Sequence, residues 1–301
     1  MTTITRRQFA ITPVAVLATG SMIRPASAQS PAALITRAIP ASGEPLPAVG
    51  LGTAEVFDAD DAATRQSASA VIQALVANGG TLIDTASTYG DAELVIGDVT
   101  EPAGLRDKLF IATKLEAPDA DELKRSLQRL RTTKVDLLQL HNVSDPQQSL
   151  AAFKQWKAHG LCRYMGITST YRGAFPAVEA VLAREKPDFV QIDYSIDDRE
   201  AEKRILPLAA DKGAAVLTAV PFGRGRLFRA VRGKEIPAWA SAFAGNWAQF
   251  FLKYLLADPR VTAVIPGSAN AAHMAENLGA MRGALPTADE RRQMVQFIEA
   301  L

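Results

Sequence analysis

The chain has 301 residues, 48% of them hydrophobic and 22% charged, which is ordinary globular composition with enough apolar mass for a large core. A formal net charge of +1 leaves no electrostatic footprint for nucleic acid. One cysteine, Cys162, excludes an intrachain disulfide, and that cysteine with His141, His159 and His273 lacks zinc-ligand spacing, so no metal is expected.

The first element is not part of the fold. Thr5 to Ala10 read Thr-Arg-Arg-Gln-Phe-Ala, a mildly apolar run with Pro13 follows from Ile11 to Thr19, and Ala26-Ser27-Ala28 gives a small-residue cleavage pattern. That order predicts a bacterial signal peptide over residues 1–28, leaving 29–301 as a single domain. The run is shorter than the roughly 20 apolar residues a membrane span needs. Arg6-Arg7 followed by Phe9 resembles a twin-arginine export signal. The twin-arginine machinery is therefore an expected partner and the periplasm the expected location, or the cytoplasm if the signal is not used. Cleavage removes Arg6, Arg7 and Arg24, taking basic residues from 33 to 30 against 32 acidic ones and the mature net charge to about −2. A single cysteine fits folding in the reducing cytoplasm before export.

From Ala33 onward strands and helices alternate. "LITRAIPASGEPLP" carries a Ser42-Gly43 turn signal and predicts a hairpin, and "AVGLGT" follows as an apolar strand. Thr64 to Asn78 has Ala68, Val71, Ile72 and Leu75 on one helical face and stops at Asn78-Gly79-Gly80. "TLIDTA" is a strand and Ala92 to Val99 a short helix; "LFIATKL" is a strand and Asp119 to Leu130 a helix. "VDLLQLH" precedes a helix near Ser149 to Ala158, "RYMGITS" one at Phe175 to Arg184, and "FVQIDYS" one at Arg199 to Lys212. "AVLTAVPFG" leads through a longer loop to a helix near Trp239 to Leu256, and "AVIPGS" to one at Asn270 to Ala280. The tail adds an amphipathic helix opened by a Thr287/Glu290 capping box.

Near-continuous apolar strands are buried on both faces, as in a parallel sheet. Eight strand–helix units in about 250 residues predict an α/β fold, a (β/α)8 barrel with an N-terminal hairpin and an extra C-terminal helix. An open doubly wound sheet would carry G-x-G-x-x-G after its first strand. Neither "GLGTAE" nor "GRGRLF" completes it.

Catalytic groups of such barrels sit at the carboxyl ends of strands. Those ends present Asp84, Lys114 and His141, with Gln191 inside the sixth strand and Tyr89 five residues past Asp84. Singly, each has a bland reading as a helix cap, solvated face or structural histidine. As a set they make a general acid: an ammonium lowers a phenol's pKa, an aspartate holds the lysine charged, and a histidine orients a carbonyl.

Asp84, Tyr89, Lys114 and His141, with "VGLGTAEVFD", "LIDTASTYG", "FIATK", "LLQLHN", "MGITS", "FVQIDYS", "VPFGRGRL" and "VTAVIPGSANAAHMAENLGA", resemble the aldo-keto reductase family over nearly the whole chain from about Leu34. The resemblance implies NAD(P)H-dependent reduction of a small-molecule aldehyde or ketone, by a monomer, with those four residues as the catalytic tetrad. It implies that Gln191, Thr53, Thr168 and Ser169 hold the nicotinamide half. Pro221, Phe222, Gly223, Arg224, Gly225 and Leu227 would cover the pyrophosphate. Gly267 and Ser268 would take the adenosine phosphate, and His273, Glu276 and Asn277 would flank the adenosine.

The chain departs from the family pattern in four ways. Ser169 replaces the usual asparagine, and Ala219-Val220 the usual stacking aromatic. Gly267 and His273 stand where a basic pair often reads the 2′-phosphate, so NADP(H) is expected with NAD(H) as the alternative, and Arg224 is available to compensate. No long C-terminal loop follows the last helix, which predicts an open pocket. Two other functions compete: a nicotinamide-binding sensor with little turnover, and Schiff-base chemistry at Lys114, which a paired aspartate disfavours.

Overall fold

The computed structural model describes residues 1–2 and 33–301, so the signal peptide expected over 1–28 lies, beyond its first two residues, outside the described residues. The predicted hairpin forms from β1 (Thr36–Ala38) and β2 (Pro45–Pro47), antiparallel, with Thr36 opposite Pro47. Gly43 turns the chain at φ +77°, a left-handed conformation that costs glycine nothing.

Eight parallel strands follow: β3 (Leu51–Gly52), β4 (Leu82–Asp84), β5 (Phe110–Leu115), β6 (Val135–Leu140), β7 (Cys162–Ser169), β8 (Phe189–Asp193), β9 (Ala215–Ala219) and β10 (Ala263–Val264). Each pairs with its sequence neighbours. The ends of the sheet meet: Val49 bridges Val264 and Gly52 bridges Gly267 in parallel, and Gly50 N–H donates to Val264 O at 2.8 Å. The sheet is thus a closed (β/α)8 barrel. Closure needs glycine at position 52, where a Cβ would lie 2.9 Å from the Ile265 carbonyl oxygen.

Side chains alternate between two apolar layers. Outward residues such as Ile83, Ile111, Leu138, Ile167, Val190 and Val216 join the helices in the larger core. Inward residues Leu82, Phe110, Leu137, Tyr164, Phe189, Ala215 and Leu217 fill the lower barrel with Ile39 and Leu46 of the hairpin, which therefore plugs the floor.

The helices are α1 (Ala62–Ala77), α2 (Ala92–Thr100), α3 (Ala120–Arg129), α4 (Ala151–Ala158), α5 (Phe175–Glu185), α6 (Ile205–Lys212), α7 (Arg226–Ala230), α8 (Trp247–Leu256), α9 (Ala271–Leu278) and α10 (Ala288–Glu299). Two are shorter than the sequence pattern implies. The helix expected from Arg199 begins only at Ile205, after a 3-10 turn at Glu200–Glu202. The one expected near Trp239 is split, because Asn246 takes an extended backbone and caps α8 by accepting from Gln249 N–H at 2.8 Å. The short helix α7 was not expected. The capping box on α10 is present as read: Thr287 and Glu290 each satisfy the other's backbone. Among the described residues no helix is long and apolar enough to cross a membrane.

Candidate active site

The inward phase that fills the lower barrel with apolar groups turns polar at the carboxyl ends. On β4 it runs Leu82, Asp84; on β5 Phe110, Ala112, Lys114; on β6 Leu137, Gln139, then His141; on β8 Phe189, Gln191. Strand register sets Lys114 beside Gln139, and Gln139 beside Gly166 on β7. A Cβ on Gly166 would lie 3.0 Å from Gln139 Cγ, so the missing side chain leaves Gln139 its space.

Lys114 is wholly buried, and its Nζ donates to Asp84 Oδ2 at 2.7 Å and to Thr85 O at 2.6 Å. The same Nζ lies 4.7 Å from the centroid of the Tyr89 ring. Gln191 Nε2 donates to Asp84 Oδ2 at 3.2 Å, and Gln139 Nε2 donates to Gln191 Oε1 at 2.6 Å. The tyrosine loop depends on Gly90 at φ +54°, where a Cβ would lie 2.3 Å from the Asp58 carbonyl oxygen. His141 meets Tyr89 edge to face with ring centroids 5.7 Å apart, and its Nδ1 is 2.6 Å from Glu116 Oε1. The four expected catalytic residues are therefore together.

Burial alone would push the Lys114 ammonium down. The carboxylate of Asp84 and the oxygen of Tyr89 overcome that and hold it above the ordinary lysine value. Burial pushes the Asp84 carboxyl up, partly offset by Lys114 and Gln191. His141 is pushed down to about 4 by burial and by Lys114, against a smaller upward pull from Glu116. Tyr89 corrects the sequence expectation. Its hydroxyl sits above the ordinary tyrosine value, because burial outweighs Lys114 and the carboxylates of Asp84 and Glu116 oppose it. Cys162 is buried, its thiol pushed up to about 12 chiefly by burial, and takes no part. No cluster of potential metal ligands occurs among the described residues.

Above this group opens a cavity of about 830 Å³, within the usual range for cofactor and ligand sites. Of the expected cofactor contacts, Thr53, Gln191, Pro221, Phe222, Arg224, Gly225 and Gly267 line it, with Asp84, Tyr89 and His141. Others do not. Thr168, on the inward phase of β7 beside Gln191, and Ser169 are both buried and do not line it, and Ser169 Oγ accepts from Tyr171 N–H at 3.3 Å. Leu227 belongs to the outer core, and Gly223 faces the Arg226 side chain. Ser268 closes a local turn with Asn270, whose side chain in turn caps Ala272 and His273 at the start of α9. His273 and Glu276 are exposed, and Asn277 is buried.

Sequence reasoning missed Glu55, Val56, Asp58, Thr88, Asn142 and Thr170 on the cavity wall, and Glu116 beside His141. The strand-end rule does not reach loop residues, but continuing the inward phase of β5 from Lys114 finds Glu116. A dinucleotide fits what is present. The wall includes glycines 52, 225 and 267, and the buried Asp84 Oδ1 is an acceptor without a partner among the described residues.

The aldo/keto reductase family model matches residues 48–297. The chain is 29% identical over 256 residues to methylglyoxal reductase YeaE of Escherichia coli, covering 81% of this chain and 88% of that one. It is 30% identical to methylglyoxal reductase DkgB of Yersinia pestis, covering 81% and 90%. A crystal structure of an aldo/keto reductase from Klebsiella pneumoniae in complex with NADP and acetate superposes with a TM-score of 0.72 at 28% identity, over 85% of this chain and 93% of that one. With the barrel, the buried lysine–aspartate pair and this extent of similarity, the chain belongs to the aldo/keto reductase family, NAD(P)H-dependent oxidoreductases of carbonyl compounds.

Proposed function

We propose that the protein reduces aldehyde or ketone carbonyls with NADPH, and that Tyr89 supplies the proton. The observation that carries this reading is the Lys114 ammonium, 2.7 Å from Asp84 and 4.7 Å from the Tyr89 ring centroid. When bound, the reduced nicotinamide supplies hydride to the carbonyl carbon. Negative charge then grows on the carbonyl oxygen, and Tyr89 passes its hydroxyl proton there. Lys114 stabilises the tyrosinate left behind, and Asp84 keeps Lys114 charged and fixed. Gln191 tethers Asp84 from the cofactor side, and His141 borders the carbonyl. Thr53, Gln191, Phe222, Arg224, Gly225 and Gly267 would hold the dinucleotide, with Arg224 the cation for a 2′-phosphate.

Small reactive aldehydes of the methylglyoxal type are the first substrates to try, given the names of the relatives. A protonated, salt-bridged Lys114 disfavours Schiff-base chemistry, and the assembled tetrad argues against a silent sensor. The test is Tyr89→Phe: NADPH binding should persist while reduction falls by about 10²–10⁴-fold. Undiminished reduction by the Phe variant would overturn the assignment.

Export through the twin-arginine route remains part of the proposal, supported by Arg6-Arg7, the short apolar run and Ala26-Ser27-Ala28. Cell fractionation should find the protein in the periplasm and an Arg6→Lys/Arg7→Lys variant in the cytoplasm. A monomeric state is proposed with it and is checked by light scattering.

A further inference from the structure

The side-chain amide of Gln191 is gripped from both sides. Its Nε2 donates to Asp84 Oδ2 at 3.2 Å, and its Oε1 accepts from Gln139 Nε2 at 2.6 Å. The direction of this chain is forced from one end. Asp84, paired with the Lys114 ammonium at 2.7 Å, is a carboxylate and only accepts. It therefore takes the amino end of the Gln191 amide, which turns Oε1 toward Gln139, and Gln139 must answer with its own amino end. Turning over either amide alone would set two donors or two acceptors against each other across 2.6 Å.

Gln139 is wholly buried on β6 and does not reach the cavity, whereas Gln191 lines it. Burying this glutamine is unfavourable in itself. Its Nε2 is used, but its Oε1 is buried without a hydrogen-bond partner among the described residues, and an unpaired buried acceptor works against the folded state. Space for it comes from Gly166 on the neighbouring β7, where a Cβ would lie 3.0 Å from Gln139 Cγ and 3.1 Å from its Oε1. An apolar residue such as Leu137, one inward position earlier on β6, would fill such a place without stranding an oxygen. What glutamine adds there is the bond to Gln191.

We propose that Gln139 is a positioning residue that locks the Gln191 amide in one orientation and so prepares it for the carboxamide of the nicotinamide cofactor. The inference rests on the assignment of the cavity to NADP(H). With Asp84 and Gln139 in place, Gln191 keeps one N–H and one lone pair of Oε1 unused. A primary carboxamide carries the complementary set, an acceptor oxygen and a donor amino group. Without Gln139 the Gln191 amide is tied only to Asp84, through the longer of its two bonds, and must be ordered when the cofactor binds. The rest of the dinucleotide is unaffected, because Arg224, Gly225 and Gly267 lie on other strands and loops of the wall.

The test is titration calorimetry of the full-length protein with two ligands, NADP⁺ and 2′-phospho-ADP-ribose, which is the same molecule without the nicotinamide ring. Gln139→Met keeps the length of the side chain and removes its hydrogen bonding. It should weaken NADP⁺ about tenfold, the effect of one lost hydrogen bond, and leave 2′-phospho-ADP-ribose within about twofold of wild type. In a Gln191→Met background, Gln139→Met should cause no further loss of NADP⁺ affinity. Equal weakening of both ligands would make Gln139 a merely structural residue and overturn the proposal. NADP⁺ affinity of Gln139→Met within about twofold of wild type overturns it too, as does a full additional loss in the Gln191→Met background. Failure of wild type to bind NADP⁺ at all would instead overturn the cofactor assignment, so the two readings fail separately.

Discussion

The barrel interior has two ends built on one alternation. At the floor, Phe110, Tyr164 and Phe189 pack ring against ring, in one cluster with the hairpin's Ile39 and Leu46. Two to four residues further along the same inward phase stand Asp84, Lys114, Gln139 and Gln191, all buried and joined by short polar contacts. The floor is held by area removed from water, which tolerates imperfect fit. The rim is held by a few charge-assisted contacts that have no substitute once a partner is lost. Stability and chemistry thus occupy different layers of the same strands.

The sharpest way to break the comparison is at the rim, through activity. Tyr89→Phe should remove about 10²–10⁴ in kcat, with thermal unfolding nearly unchanged. Next come two changes of similar thermodynamic size and opposite functional meaning. Lys114→Met strands the Asp84 carboxylate and should cost about 3–5 kcal/mol in denaturant unfolding, together with activity. Lys114→Met/Asp84→Asn should recover much of the stability and none of the activity. Phe189→Ala at the floor should cost about 3–5 kcal/mol as well, yet leave kcat of the folded fraction near that of wild type. Loss of turnover on Phe189→Ala would show that the layers are not separable.

A smaller effect concerns pH. His141 sits near 4 in the fold against an ordinary value near 6.5, so the unfolded chain binds its proton first. Stability should therefore fall as pH drops from about 6.5 through about 4. Denaturation of wild type against His141→Asn across that window should give a steeper slope for wild type. The smallest effect is expected at the outer edge of the floor, where Glu44 accepts from the Tyr164 hydroxyl at 2.6 Å and pairs with Arg163. Glu44→Gln should cost no more than about 1 kcal/mol, because the pair is partly solvated.

How much of this was legible in the sequence follows the same division. Strand residues announce their side by counting in twos, so Asp84 and Lys114 could be aimed at one rim, and the apolar residues before them at one floor. Counting on from Lys114 reaches Glu116, but Asn142 and Thr88 carry no such period, and the three come together only because three separate loops converge. Ser169, which the resemblance set against the cofactor, accepts the Tyr171 amide, a loop contact that strand counting does not reveal. The pKa of Tyr89 was misjudged because sequence reveals the neighbouring lysine but not how far burial removes water from the phenol. Helix boundaries drifted where a polar cap, Asn246, interrupted an apolar run.

The buried Lys114–Asp84 pair also bears on how such a protein can change over generations. Either residue lost alone leaves an unpaired charge in a sealed site, so the intermediate is handicapped in folding as well as in catalysis. A lineage drifting toward a silent barrel would have to cross that valley or replace both residues nearly at once. The catalytic pair is thus shielded from gradual erosion by the same dehydration that lets it act on Tyr89.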